Sequence, residues 1–187
     1  MDSSILQNHL GECANSLGCR LDQINPDTPG MMYVEFGYVE GPVLSGPNIQ
    51  SKYMVNMHEL GHYAHGHTQG RPPMQNETWY FDNGVLKSEA EAWEWALDNS
   101  IIKEYESQTR NYMWDTCMGS YYSGARMAGF GVPGQRLGNG NRHWVSFAWD
   151  EPDEFFWSVK ERMLNGNRTE NIRTNSELYS GAVRERR

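Results

Sequence analysis

The stretch Val55-Asn56-Met57-His58-Glu59-Leu60-Gly61-His62-Tyr63-Ala64-His65 sets an HExxH pattern inside a segment that reads as one buried helix. Residues four apart on a helix lie one turn apart on the same face, so His58 and His62 can each turn an imidazole nitrogen toward a single metal ion. Glu59 then stands beside an open coordination position. A carboxylate there can take a proton from a metal-activated water and hand it to a leaving amine. Tyr53, Met57, Leu60 and Ala64 form one apolar stripe, with Met54 and Val55 above His58, so the helix belongs in a core. Gly61 leaves room for a backbone or a substrate to come close. These residues predict zinc-dependent hydrolysis.

The rest of the chain supplies partners for that helix. Ile5, Leu6, His9, Leu10, Cys13 and Leu17 recur at helical spacing over 3–17, with Ser3 or Ser4 as cap and Gly18 as terminator. Met32, Val34, Phe36 and Tyr38 alternate with Tyr33, Glu35 and Gly37, which predicts a strand from Met31 to Val39. Gly41-Pro42 and Gly46-Pro47 punctuate the run into the metal helix, which should begin between Asn48 and Ser51. Trp79-Tyr80-Phe81, Asp82-Asn83-Gly84 and Val85-Leu86 suggest a small hairpin, or only the turn that admits the next helix. A second helix is expected over 88–104, with Glu89, Ala92, Trp93, Ala96, Leu97 and Ser100 on its inner face. Trp144 to Trp149 alternates like a strand, and Asp150-Glu151-Pro152 opens a helix through Met163.

His65 and His67 invite assignment as a third ligand, and geometry argues against both. Zinc–nitrogen bonds of ~2.1 Å hold ligand atoms within roughly 4 Å of each other. Seven residues of straight helix advance about 10 Å, too far for His58 and His65 to share an ion. The HExxHxxGxxH spacing also fails by one place, because Gly66 and His67 sit where residues 65 and 68 would be needed. His65 therefore reads as a neighbour of the site and His67 as an ordinary residue.

Composition narrows the class. A chain of 187 residues suits one domain, expected here over 1–164 with a glycine-rich loop region at 119–143 and a polar, mobile tail at 165–187. The formal charge of −8 argues against nucleic acid as the main partner. No apolar run approaches a membrane span or a signal sequence, so a cytoplasmic location without membrane association is expected. Cys13, Cys19 and Cys117 are an odd set without metal-type spacing, which suits reduced thiols. Gly129-Phe130-Gly131-Val132-Pro133-Gly134 matches GxGxxG, but Pro133-Gly134 leaves no helix to seat a pyrophosphate.

The run HELGHYAHGH at 58–67, followed by Glu89-Ala90-Glu91-Ala92-Trp93-Glu94-Trp95-Ala96, resembles the ImmA/IrrE-type metallopeptidases, whose second helix reads ExEANxFA. The resemblance covers roughly residues 3–102. It implies a zincin-like peptidase in which His58, His62 and a glutamate of the second helix hold zinc. Trp93 replaces the asparagine that would support a ligand histidine in that family. The fold expected is α+β, with the HExxH helix packed on the Glu-bearing helix beside a small sheet.

Among the candidate carboxylates, Glu89 shares the apolar face with Ala92, Trp93 and Ala96, and burial favours it as third ligand. Glu91 remains the alternative, although Ser88-Glu89-Ala90-Glu91 reads as a capping box that would occupy it. Glu94 is the third acid in reach. The expected activity is endopeptidase cleavage of a protein or peptide by Glu59-assisted attack of zinc-bound water, with His143, Tyr121 or Tyr122 as oxyanion donor. Two other readings compete: a deformylase-like amidase using Cys13 as ligand, and a zinc-stabilised binding or regulatory protein of zincin shape without proteolysis.

Overall fold

Local spacing and capping build the first helix, α1 (Ser3–Leu17). Leu6, Leu10 and Ala14 fall one turn apart and are all buried. Asp2, rather than Ser3 or Ser4, is the cap, its Oδ1 accepting from the Ser4 amide at 2.9 Å. Gly18 ends the helix with φ 69°, in the left-handed region open to glycine. The computed structural model describes residues 2–24, 31–33, 37–67, 79–80, 83–123, 145–146 and 152–165. His143, Trp144, Trp149, the GxGxxG run and the tail from residue 166 lie outside them.

Three short strands form a sheet in the order β1 (Arg20–Ile24), β3 (Tyr38–Pro42), β2 (Met31–Tyr33). Strand β1 runs parallel to β3, pairing Leu21 with Val39, and β2 runs antiparallel to β3, pairing Met32 with Val39. The single strand expected from Met31 to Val39 is therefore β2 plus the start of β3. Gly37 at φ 69° supplies a left-handed residue just before β3. The sheet docks on α2 (Ile49–Ala64) through Asn56, whose buried amide donates to the Pro42 carbonyl at 2.9 Å and the Lys52 carbonyl at 2.8 Å. Gly41 makes this possible, since a Cβ there would fall on the Asn56 amide.

Trp79-Tyr80 is indeed a strand, β4 (Trp79–Tyr80), but its partner is not Val85-Leu86. It pairs in parallel with β5 (Val145–Ser146), and Asn83 already opens helix α3 (Asn83–Asn99). Ser88 thus lies more than a turn inside α3, where its neighbours' amides are already bonded, so no capping box forms with Glu91. After α3 come α4 (Ser107–Asn111) and a wide-turned π segment, Tyr112–Met118, continuing as helix over 119–123. Residues 119–123 are therefore helix rather than loop. Helix α5 (Glu154–Asn165) is capped by Asp153, which accepts from the Phe156 amide at 3.0 Å, and it buries Phe156, Val159 and Met163. Its Arg162 pairs with Asp98 and, at 3.7 Å, with Glu94, tying it to α3.

The molecule is thus helix-rich α+β, with α2 at its centre between the sheet and α3. No helix among the described residues is long and apolar enough to cross a membrane. Tyr53 of α2 joins α1 to the far end of α3: its hydroxyl lies 2.9 Å from His9 Nδ1 and accepts from the Ile101 amide at 3.2 Å. His9 is accordingly a packed face residue.

Gly61 sets the α2–α3 separation. A Cβ at this position would run into the Ala92 carbonyl and come within 3.0 Å of Ala92 Cα. Gly61→Ala should therefore force the helices apart, costing about 1–3 kcal/mol as overpacking does. Urea unfolding checks this, and a variant as stable as the wild type would show that the contact tolerates a methyl group.

Candidate metal centre

Four buried polar side chains meet where α2 and α3 touch: His58, Glu59 and His62 from α2, and Glu89 from α3. His58 Nε2 and His62 Nε2 lie 3.0 Å apart. Glu89 places Oε2 3.2 Å from His58 Nε2 and Oε1 3.4 Å from His62 Nε2. Ligand atoms around a tetrahedral ion with bonds of ~2.1 Å are spaced about 3.4 Å apart. The three side chains therefore already have the separations of a three-donor metal site, and they could hold an ion. Buried His58 Nδ1 has no hydrogen-bond partner among the described residues, and the His58 imidazole at 3.2 Å is the partner shown for Glu89 Oε2. Burying a carboxylate oxygen is costly unless an imidazole or a cation satisfies it.

Of the carboxylates proposed from sequence, the structure brings Glu89 to the histidines. Glu91 instead places Oε2 3.1 Å from His67 Nε2, and Glu94 lies toward Arg162. Trp93 supports His58 without a hydrogen bond, its ring stacked on the imidazole at 4.3 Å and 21°. Cys13 contacts His9 on α1 at 3.7 Å and belongs to neither group of metal-capable donors, which removes the ligand that a deformylase-like site would need.

Electrostatics separate the four groups by role. Burial, and then the neighbouring His62, pushes His58 down to about 4, leaving its imidazole neutral and able to donate a lone pair. Burial would lower His62 as well, but the hydrogen bond and charge of Glu89 outweigh it and its pKa rises. Burial opposes ionisation of Glu89, yet His58 and His62 together hold it at about 2. Glu59 has no such counter-charge large enough: burial dominates and raises it to about 8, with Glu89 adding to the rise and His62 opposing it.

The π segment and its continuation border the same acids. Tyr121 is raised first by the charge of Glu89, then by burial and by Glu59. Although the residue as a whole is 42% exposed, its phenol feels both carboxylates. Tyr122 packs instead on Phe156 and Trp157, with ring centroids 5.9 and 5.2 Å away. Cys117, expected from sequence to be a reduced thiol, is pushed up to about 12 by burial and then by Glu89 and Glu59, and so remains a thiol. No sequence pattern marks either neighbour, since an i→i+5 turn has no signature of its own.

His67, read from sequence as an ordinary residue, stays outside the His58, His62 and Glu89 group but touches His62. Its Nδ1 lies 3.0 Å from His62 Nδ1, and its ring stacks against His65 at 5.3 Å. With His65 and Glu91 it forms a second, more exposed group of donors. Helix α2 ends at Ala64, and Gly66, at φ 64°, turns the chain back so that His67 lies over His62.

Compared with protein-family models, with curated proteins and with solved structures, the chain matches none of them.

The raised Glu59 has a consequence for the metal-free protein. Its folded pKa of about 8 exceeds the ordinary carboxylate value, so between about 4.5 and 8 the folded state holds a proton that the unfolded state has lost. Stability therefore falls as pH rises through that window, by at most about 1.4 kcal/mol per pH unit from this group. Glu59→Gln removes the effect. Metal-free Glu59→Gln should be more stable than metal-free wild type at pH 7 and equal to it at pH 4, measured by denaturant unfolding; an unchanged gap would contradict the burial of this carboxylate.

Proposed function

We propose that the chain is a zinc-dependent peptidase of zincin type that cleaves a peptide bond in a protein or peptide substrate. The observation that carries this reading is the buried triangle of His58 Nε2, His62 Nε2 and Glu89 with a second carboxylate, Glu59, beside it. Two imidazoles and one carboxylate suit zinc, and three protein donors leave the open fourth position of a catalytic rather than a structural site. Magnesium and calcium favour oxygen-rich sets of six or more ligands. The central helix flanked by a small sheet and a Glu-bearing helix is the arrangement that a zincin-like fold requires. When bound, zinc supplies the Lewis acidity that polarises a scissile carbonyl and acidifies water.

The chain's own residues then divide the work. Glu89, ionised, and His58, neutral, donate electron pairs without first losing a proton. Glu59 serves as general base. Burial raises it in the metal-free protein, and the charge of a bound cation would draw it back down, so that it could accept a proton from the attacking water and return it to the leaving amine. Tyr121 is the candidate donor to the oxyanion of the tetrahedral intermediate, because the charges of Glu89 and Glu59 together with burial keep its phenol protonated.

Incubating the zinc-loaded protein with an unbiased peptide library, followed by mass spectrometry with and without chelator, tests the activity. Glu59→Gln should abolish cleavage while retaining one equivalent of zinc, and Glu89→Ala should lose zinc and cleavage together. Tyr121→Phe should lower kcat by about 10²-fold with little change in KM. Wild-type turnover by Glu59→Gln would overturn the mechanism.

A further inference from the structure

Helix α2 closes in a glycine turn that folds His67 back over His62. Gly66, at φ 64°, donates its amide to the Tyr63 carbonyl, and His67 donates its amide to the His62 carbonyl, each at 3.0 Å. This pair of bonds brings the residue after the glycine against the residue five positions earlier, a contact that is usually apolar. Here two imidazoles fill it, with Nδ1 atoms 3.0 Å apart and ring planes at 67°. The far nitrogen of His67 lies 3.1 Å from Glu91 Oε2, and the other oxygen of Glu91 lies 3.7 Å from Lys87 Nζ, one turn earlier on α3.

We propose that His67 and Glu91 are positioning residues that fix the tautomer and ring orientation of His62 for metal binding. The inference rests on the reading of His58, His62 and Glu89 as the metal donors. A neutral imidazole carries one N–H. With Nε2 of His62 in the donor triangle, its proton sits on Nδ1 and is donated to His67 Nδ1. His67 must then carry its own proton on Nε2, which is donated to Glu91. Every nitrogen along the line has one role, and the chain ends on a carboxylate held by Lys87. Such outer partners orient a ligand histidine and raise its basicity.

The same proton count decides what the second donor group does. Were His67 Nε2 to bind an ion in the His65, His67 and Glu91 group, its proton would move to Nδ1 and face the Nδ1–H of His62 at 3.0 Å. Two donors cannot share that contact, so with the first site loaded the second group is a hydrogen-bonded relay rather than a second metal site. His58 has no comparable partner: its Nδ1 is unpaired among the described residues and its support is the Trp93 ring. Orientation by hydrogen bonding therefore falls on the His62 arm.

Chelator-competition titration of zinc measures the effect. His67→Leu should weaken zinc binding about 10–100-fold, the range seen when outer partners of ligand histidines are lost. His67→Gln should stay within about 3-fold of wild type, because an amide oxygen can accept from His62 while its NH₂ donates to Glu91. Wild type should bind one equivalent. Nitrogen-15 NMR of the zinc-loaded wild type, assigned with His67→Gln, should show His67 protonated on Nε2, a readout that does not depend on any variant folding. Unchanged affinity in His67→Leu, an Nδ1-protonated His67, or a second tight equivalent of zinc lost in His67→Gln would overturn the relay. If wild type binds zinc no better than His58→Ala, the metal reading itself fails, and the relay with it.

Discussion

The closest approach of α2 and α3 at Gly61 and Ala92 governs the arrangement of this protein. Glycine lets the Ala92 backbone lie against α2, and Glu89, one turn earlier on α3, then reaches across to His58 and His62. Glu89 and Ala92 are three residues apart on a helix, so the residue that touches and the residue that would coordinate belong to one face. Sheet, α1 and α5 hold this pair from outside. Asn56 locks α2 to β3, Tyr53 links it to α1, and Arg162 links α3 to α5.

The cost of the arrangement is a core seeded with polar groups. His58, Glu59, His62 and Glu89 all lie among side chains such as Met57, Leu60 and Trp93 that exclude water. Removing a charge from water costs several kcal/mol even after relaxation, and only partners or a cation offset it. Glu89 has the two imidazoles. Glu59 has no equivalent and responds by holding its proton to about pH 8. A fold selected for stability alone would place an apolar residue at 59. The sacrifice of stability there, beside a three-donor cluster, is what the proposed proton transfer by Glu59 would require.

Much of this could be read from the chain because the deciding constraints are local. The HExxH spacing fixes two imidazoles on one face of any helix. The apolar periodicity of 89, 92, 93, 96 and 97 turns Glu89 inward, and Leu6, Leu10, Ala14 and Gly18 define α1 without reference to its neighbours. What was missed depends on tertiary context. Arg20-Leu21-Asp22-Gln23 has no alternation, and becomes a strand only because β3 offers it a parallel edge. Trp79-Tyr80 pairs with a segment some sixty-five residues on rather than with the adjacent one. Glu91 reads as part of a capping box when α3 is started at Ser88, and His67 reads as ordinary when the turn after α2 is left out. Gly66 was the signal that would have corrected the second error, since a glycine just past the last periodic residue turns the chain back onto the helix end.

Zinc K-edge X-ray absorption on the loaded protein tests the central claim most directly, because it reads the donor set without requiring a substrate. The account predicts a four-coordinate shell of nitrogen and oxygen at about 2.0–2.1 Å, with outer-shell scattering from two imidazoles and no sulfur. A sulfur shell near ~2.3 Å, which would bring in Cys117 or Cys13, or an oxygen-only shell without imidazole, would contradict it.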